Sequence, residues 1–247
     1  MKAKLIFCAA CAALLIAMPA GSTQGAAGAT LITNGFAARH PDVPGVAKSP
    51  DWVMTAGSLF ALPDGRFWTG IPDGVGSDRT STRSTNSAVF RMVSARRDYQ
   101  NAVAHITFDL SRFVTTPKTP QHAWDGVHLM LRYQSQYELY YVSLLRRDGT
   151  IVIKKKCPGG TSNGGTYYDL SPYVPYALPL GRDATLTALV ENTTGGVHIA
   201  LYDAQDGLLL TADDTGTGCA PIRSAGGVGV RGDNAEFSFT LSTTPLP

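Results

Sequence analysis

Between Ala102 and Leu110 the chain alternates without a break: Ala102, Ala104, Ile106, Phe108 and Leu110 fall on one parity, Val103, His105, Thr107 and Asp109 on the other. Residues two apart share a face of an extended strand, so this segment reads as a strand buried on one side. The same signature recurs at Ala88–Arg96, Gly126–Tyr133, Tyr137–Leu145, Thr150–Lys156, Ala184–Glu191, Val197–Tyr202, Gly207–Ala212, Gly227–Arg231 and Ala235–Leu241. Asp148-Gly149, Thr194-Gly195-Gly196 and Asp206-Gly207 separate pairs of these segments with hairpin chemistry. No segment carries a sustained helical stripe with caps, which argues against parallel βαβ architecture. Consecutive antiparallel strands of this number predict an all-β fold, an antiparallel two-sheet β-sandwich, with a closed barrel as the other solution. The Gly/Asp/Ser/Thr-rich stretch between Leu62 and Asn86, including GIPDGVGSDRTSTRSTN, reads as a long rim loop.

At the N-terminus, Lys2 and Lys4 precede an apolar run from Leu5 to Met18 and then small residues, the pattern of a secretory signal peptide. Ala27-Gly28-Ala29 places cleavage after Ala29, with Ala20-Gly21-Ser22 as an earlier alternative, and neither Cys8 nor Cys11 sits in a lipoprotein box. The expected organisation is a signal peptide over residues 1–29 and a single β-sandwich domain over 30–247. The apolar run is too short to span a bilayer comfortably and none follows it, so a secreted, extracytoplasmic monomer without stable membrane insertion is expected. Without Lys2 and Lys4 the 21 basic residues become 19, balancing the 19 acidic ones. Zero net charge removes bulk attraction to nucleic acid or anionic lipid. Of the four cysteines only Cys157 and Cys219 remain. In an oxidising compartment they predict one disulfide closing a loop of about 60 residues, worth roughly 4 kcal/mol in the chain-entropy account. They lack the histidine pair of a zinc site and the spacing of a CxxC redox pair.

The succession GVHLMLRYQS, YELYYVSLLRRDGTIVIKKK, a turn-rich insert, ATLTALVEN, GGVHIALYDAQDGLLL and GGVGVRGDNAEFSFTLS resembles a concanavalin A-like or laminin G-like jelly roll of secreted bacterial carbohydrate-active proteins. The resemblance covers roughly Thr30 to Ser242 and rests on strand order, Asp-Gly hairpins and the terminal strand. It implies a concave sheet that accommodates a glycan and, in some families, a structural calcium ion at the rim. No other cofactor is required.

Alternation along LRYQSQYELYY sets the candidate face. His128, Met130, Arg132 and Gln134 share one side of their strand; Glu138, Tyr140, Val142 and Leu144 share one side of the next. With a turn at Gln134–Gln136, Arg132 and Glu138 lie near one another and either pair across the sheet or face a ligand. Adding Arg91, His105 and Lys154 gives an expected face of Arg91, His105, His128, Arg132, Tyr140 and Lys154, basic and aromatic together. Tyrosine offers a pyranose ring an apolar face plus a hydroxyl, and arginine grips a carboxylate through paired hydrogen bonds. Such a face suits a polysaccharide or oligosaccharide, with Trp124, Gln134, Glu138 and Lys154 as ligand-binding candidates.

Three chemistries compete for this face. Binding alone requires only aromatic and amide groups on one side of a sheet, and is the preferred reading. A lyase acting on a uronate by β-elimination needs a neutralising cation, a base and an acid. Arg91 or Arg132, His105 or His128, and Tyr140 supply those types, but the arginine-glutamate-arginine and glutamine-x-histidine strand motifs of well-known alginate lyases are missing. A glycosidase needs two carboxyl groups flanking the bond, whereas Asp109, Glu138, Glu191 and Glu236 occur singly and no E-x-D-x-x-E motif is present.

Other features carry plainer readings. Arg231-Gly232-Asp233 reads as a turn before the closing strand. Asp213-Asp214 and Asp233-Asn234 offer oxygen ligands without the spacing of an EF-hand. Asn192-Thr193-Thr194 fits a glycosylation pattern. CPGGTSNGG lacks the continuation of a phosphate loop and reads as a mobile rim loop tethered at Cys157. Trp52 and Trp68 read as packing residues, and Trp124, beside His122 and Asp125, as a border to a groove.

Overall fold

A computed structural model describes residues 30–32, 49–71, 86–162 and 164–247. The expected signal peptide and most of the Leu62–Asn86 stretch lie outside these residues. Among them there is no helix; two antiparallel sheets pack face to face. The first sheet runs β1 (Thr30–Ile32), β3 (Leu59–Ala61), β4 (Phe67–Trp68), β16 (Ala235–Pro245), β6 (Ala102–Phe113), β12 (Ala184–Asn192), β13 (Val197–Tyr202) and β14 (Leu208–Asp214). The second runs β10 (Gly165–Asp169), β9 (Thr150–Ser162), β8 (Glu138–Arg146), β7 (Gly126–Ser135), β15 (Gly227–Asp233), β5 (Val89–Ser94) and β2 (Trp52–Ala56), with β11 (Val174–Pro175) also paired to β9.

All ten segments read from alternation are strands. The meanders β7 to β10 and β12 to β14 follow sequence order, but the last two strands do not: β15 enters between β7 and β5, and β16 between β4 and β6. Each closing strand therefore completes the interior of a different sheet, and the fold is a sandwich in place of a simple meander. Gly126 marks where β7 begins against β8: a Cβ there would run into the carbonyl of Leu145, and its φ of 150° suits glycine.

Burial follows the predicted parity. Ala102, Ala104, Ile106, Phe108 and Leu110 are buried against Val127, Leu129, Leu131, Val142 and Val230 of the other sheet. Phe90 meets Phe237 edge-on at 5.6 Å and Phe239 at 5.9 Å, joining the sheets near their centre. In the second sheet alternation is masked because its outer face is covered too: Val93, Met130, Tyr133, Leu139 and Tyr141 form a second cluster there, with Tyr167 against it.

Polar groups also join the sheets. The fully buried carboxylate of Asp214, on β14, accepts two 2.8 Å hydrogen bonds from Lys155 Nζ on β9 and one of 2.6 Å from the Tyr140 hydroxyl on β8. Lys155 also donates to the carbonyl of Cys219, and Cys219 is bonded to Cys157 as expected. The Tyr140 oxygen accepts the backbone N–H of Ile222, whose carbonyl accepts from Arg132. Arg132 reaches on to Asn192 Oδ1 on β12 at 2.7 Å. Burial and then the Asp214 carboxylate push the Tyr140 phenol upward, and it stays a donor.

The CPGGTSNGG stretch departs from expectation. Cys157 to Ser162 continue β9, and Cys157 and Pro158 pair with β10, where Thr166 and Gly165 stand opposite them. The glycines belong to a hairpin arm.

Loss of the Asp214 carboxylate leaves a buried ammonium without its counter-ion. Asp214→Ala is expected to lower unfolding free energy by about 3–5 kcal/mol, and Tyr140→Phe by about 1 kcal/mol, in urea titrations of the oxidised protein. Equal, small losses for both would contradict the inter-sheet role of the carboxylate.

Candidate functional site

On β8 and β9 the residues flanking Tyr140 and Lys155 must point the other way, out of the sandwich. Cross-strand register then assembles rows on the outer face of the second sheet. One row is Arg91, Arg231, His128 and Ser143; another is Met130, Tyr141, Lys154 and Asp169; a third is Leu139, Lys156 and Tyr167.

The centre of the face is ionic and buried. Arg231 grips Asp233 two residues along β15 through two 2.7 Å hydrogen bonds, and both are buried. Burial opposes both charges, yet each partner stabilises the other: Asp233 stays below the usual carboxylate range and Arg231 is pushed up. His128 stacks on Tyr141 at 4.6 Å, its Nδ1 lies 3.1 Å from the Ser143 hydroxyl, and its Nε2 lies 3.6 Å from Asp233. Ser143, His128 and Asp233 are the residue types of a nucleophilic triad, but Ser143 and His128 are wholly sealed. Burial lowers the His128 pKa to about 3, so the ring is neutral. Here the three act as packing and polar support.

Above this floor lies a cleft of about 220 Å³. Its base includes Tyr141, Tyr167, Arg231 and Asp233; Trp124, Arg146, Lys154 and Tyr173 stand around it. Trp124 is 39 % exposed and stacks on His122 at 4.4 Å; Tyr173 is 43 % exposed and carries Arg146 and Lys154 over its ring at 5.1 and 4.9 Å. Lys154 also donates to the Tyr173 hydroxyl at 2.6 Å and pairs with Asp169 at 3.0 Å. Two solvent-facing rings, one of them with two cations over it, thus line the cleft together with the phenols of Tyr141 and Tyr167.

The expected six-residue face is divided by this geometry. Arg91, His128 and Lys154 share the outer face; Arg91 donates to Thr55 and to Gln136 Oε1. Tyr140 is on the opposite side, in the inter-sheet core. Arg132 is displaced inward because the β7–β8 register shifts between Leu131 and Ser135, and its backbone adopts φ 46°. Its guanidinium is wholly buried among Gln100, Asn192 and Ile222, and burial lowers its pKa to about 10. The turn falls at Gln136–Tyr137, so Glu138 stands opposite Ser135 and does not meet Arg132. Gln134 donates to the Ala225 carbonyl. His105 belongs to the other sheet, beside Thr187 at 2.9 Å on its exposed face.

Arg231-Gly232-Asp233 is a buried segment of β15 and not a turn. Tyr141, Arg231 and Asp233 were reachable from sequence by alternation, given the right parity; Tyr173 and Arg146 owe their places to the β11 segment and the Asp148-Gly149 hairpin. Of the oxygen groups considered for calcium, Asp214 accepts from Lys155 and Asp233 from Arg231, while Asp213 lies beside His198 Nδ1 at 2.8 Å. Among the described residues no group of three or more His, Cys, Asp or Glu converges. The amide of Asn192 is likewise engaged, accepting from Arg132 and donating to the Arg223 carbonyl.

Two buried bases give stability a direction with pH. His128 is held near 3 against an ordinary 6.5, and burial with neighbouring Arg231 and Arg91 lowers Lys156 to about 7 against 10.5. The unfolded chain therefore binds the extra proton between 3 and 6.5 and again between 7 and 10.5, and stability rises with pH through both windows. Unfolding free energy is expected to fall from pH 6.5 to 5 by at most about 1.4 kcal/mol per pH unit, with a flatter profile in His128→Asn. An unchanged slope in that variant would assign the pH dependence elsewhere.

No family model matches the chain, and no curated protein matches it in sequence. Among solved structures it is similar to the carbohydrate-binding module CBM66 from Bacillus subtilis, with TM-score 0.50 and 13% identity over 78% of this chain and 94% of that one. It is also similar to a Bacillus subtilis protein of unknown function with a galectin-like fold, with TM-score 0.51 and 11% identity over 78% and 88% of the two chains. At such identities the likeness is one of fold. The chain folds as a concanavalin A-like jelly-roll sandwich.

Proposed function

We propose that the outer-face cleft binds a polysaccharide or oligosaccharide and performs no chemistry on it. The observation that carries this reading is that two exposed rings, Trp124 and Tyr173, line one cleft together with Tyr141 and Tyr167. A pyranose presents apolar C–H faces to rings and hydroxyls to phenols and cations, so this arrangement matches both surfaces of a sugar. Arg146 and Lys154 favour a uronate unit over a neutral one, although each is partnered by an aspartate. The likeness in fold to a carbohydrate-binding module agrees with this reading.

Catalysis is less well supported by the same groups. A lyase base must reach a carbon-bound proton, whereas His128 is sealed beneath the face and His105 is on the other sheet. The proposed acid, Tyr140, donates into the core. A glycosidase needs two carboxyl groups across the bond; among the described residues lining the cleft, Asp233 is the only one, and Arg231 holds both its oxygens. The Cys157–Cys219 bond fits an extracytoplasmic setting, and the protein is proposed to act there as a secreted monomer.

The test is binding of the oxidised protein to neutral and uronate polysaccharides, with assays for unsaturated sugars and new reducing ends run alongside. Binding without product is expected. Trp124→Ala and Tyr173→Ala should each weaken it about threefold to tenfold, the worth of one aromatic contact, while leaving thermal unfolding in place. Product formation, or full affinity in both variants, would overturn the reading.

A further inference from the structure

The floor of the outer-face cleft holds hydrogen-bond donors that the fold leaves unused. Arg231 is only 4 % exposed and spends Nε and Nη2 on the two oxygens of Asp233. Its Nη1 has no partner among the described residues. Tyr141 is 6 % exposed, and neither its hydroxyl nor that of Tyr167 has a partner among them. Unlike His128 Nε2, which is sealed as well as unbonded, these three atoms keep accessible surface. All three residues line the cleft. Buried donors are normally paired, so three unused ones on one floor mark a place where an acceptor comes from outside.

Their chemistry selects that acceptor. The Tyr141 and Tyr167 rings meet edge to face at 5.5 Å, and the Arg231 guanidinium acts on both phenols. Burial pushes both phenols upward, so at neutral pH each carries its proton and donates. The local field has the matching sign. Lys156, whose ammonium lies over the Tyr167 ring at 4.8 Å, gives its hydrogen bond to the neutral carbonyl of Gln136. Burial, then repulsion from Arg231 and Arg91, lowers it to about 7 in spite of Asp233. A sugar hydroxyl, donor and acceptor at once, answers part of this set. A carboxylate accepts only, offers about four lone-pair sites, and answers all three donors, one of them cationic.

We propose that the floor is a carboxylate subsite, where Arg231 Nη1 and the hydroxyls of Tyr141 and Tyr167 take the carboxylate of a uronate unit whose ring is held by Trp124 and Tyr173. The proposal rests on the reading of the cleft as a glycan site. It moves the choice of an acidic sugar from the rim to the floor, since the rim cations Arg146 and Lys154 are already paired with Asp148 and Asp169.

The test is calorimetric titration of the oxidised chain at about 0.15 M salt, where exposed charges are screened. Polygalacturonate, alginate, hyaluronan, dextran sulfate, dextran and galactan serve as probes. The uronate polymer bound best is then compared with its methyl ester, which keeps the ring and removes the charge. Esterification is expected to weaken binding about tenfold or more. Tyr141→Phe and Tyr167→Phe each delete one unpaired hydroxyl, so thermal unfolding should stay in place while affinity for the acid falls about tenfold, and for the ester about threefold or less. Trp124→Ala should weaken acid and ester alike. A neutral polymer bound best, dextran sulfate preferred to every uronate, an ester as tight as the acid, or full affinity for the acid in both phenylalanine variants overturns the carboxylate subsite and leaves the glycan cleft standing. Silence toward all six probes overturns the cleft reading along with it.

Discussion

The carboxylate of Asp214 is where the two sheets are tied by charge. It receives Lys155 and Tyr140 from two adjacent strands of the opposite sheet and is itself fully buried. A buried ion pair gives little net stability relative to a well-packed apolar pair, but breaking it is expensive. Its effect here is to specify which residues of β8 and β9 face inward. The disulfide from Cys157 to Cys219 fixes the backbone on both sides of the same knot, and Arg132 extends the polar chain through Ile222 to Asn192.

The outer face inherits its composition from that inner choice. In a strand the two faces are set together, and a shift of one residue exchanges them. With Tyr140 and Lys155 committed inward, Tyr141, Lys154 and Lys156 must stand outside, where Tyr167 and Tyr173 meet them. The buried Arg231–Asp233 pair and the neutral His128 then form a rigid polar floor instead of a reactive one. Buried polar groups held by a paired Arg231 and Asp233 beneath exposed rings are suited to holding a ligand in one orientation; they are poorly suited to accepting a proton.

How much of this was legible in sequence depends on burial. Strands of the first sheet have one wet face, so Ala102–Leu110 announces its register directly. In the second sheet both faces are buried, and LRYQSQYELYY offers tyrosines of either parity. The strand positions are clear there, but which tyrosine faces outward depends on a partner across the sandwich, Asp214, that no local pattern identifies. The register shift that turns Arg132 inward is similarly invisible, because it arises from a backbone at φ 46° and not from the order of apolar residues. The short strands β2, β3, β4 and β11 lack enough residues for alternation to register, which is why Tyr173 was not placed at the cleft. Arg231-Gly232-Asp233 reads as a turn by composition alone; in the fold its arginine and aspartate share one face because they are two apart in a strand.

The account's central claim is that ligand recognition belongs to the outer face of the second sheet. Backbone hydrogen exchange of the oxidised protein with and without a bound polysaccharide tests this most directly. The account predicts new protection confined to the segments around Trp124, Arg146, Lys154 and Tyr173. Protection centred instead on the exposed face of the first sheet, around His105, Thr187 and His198, would contradict it.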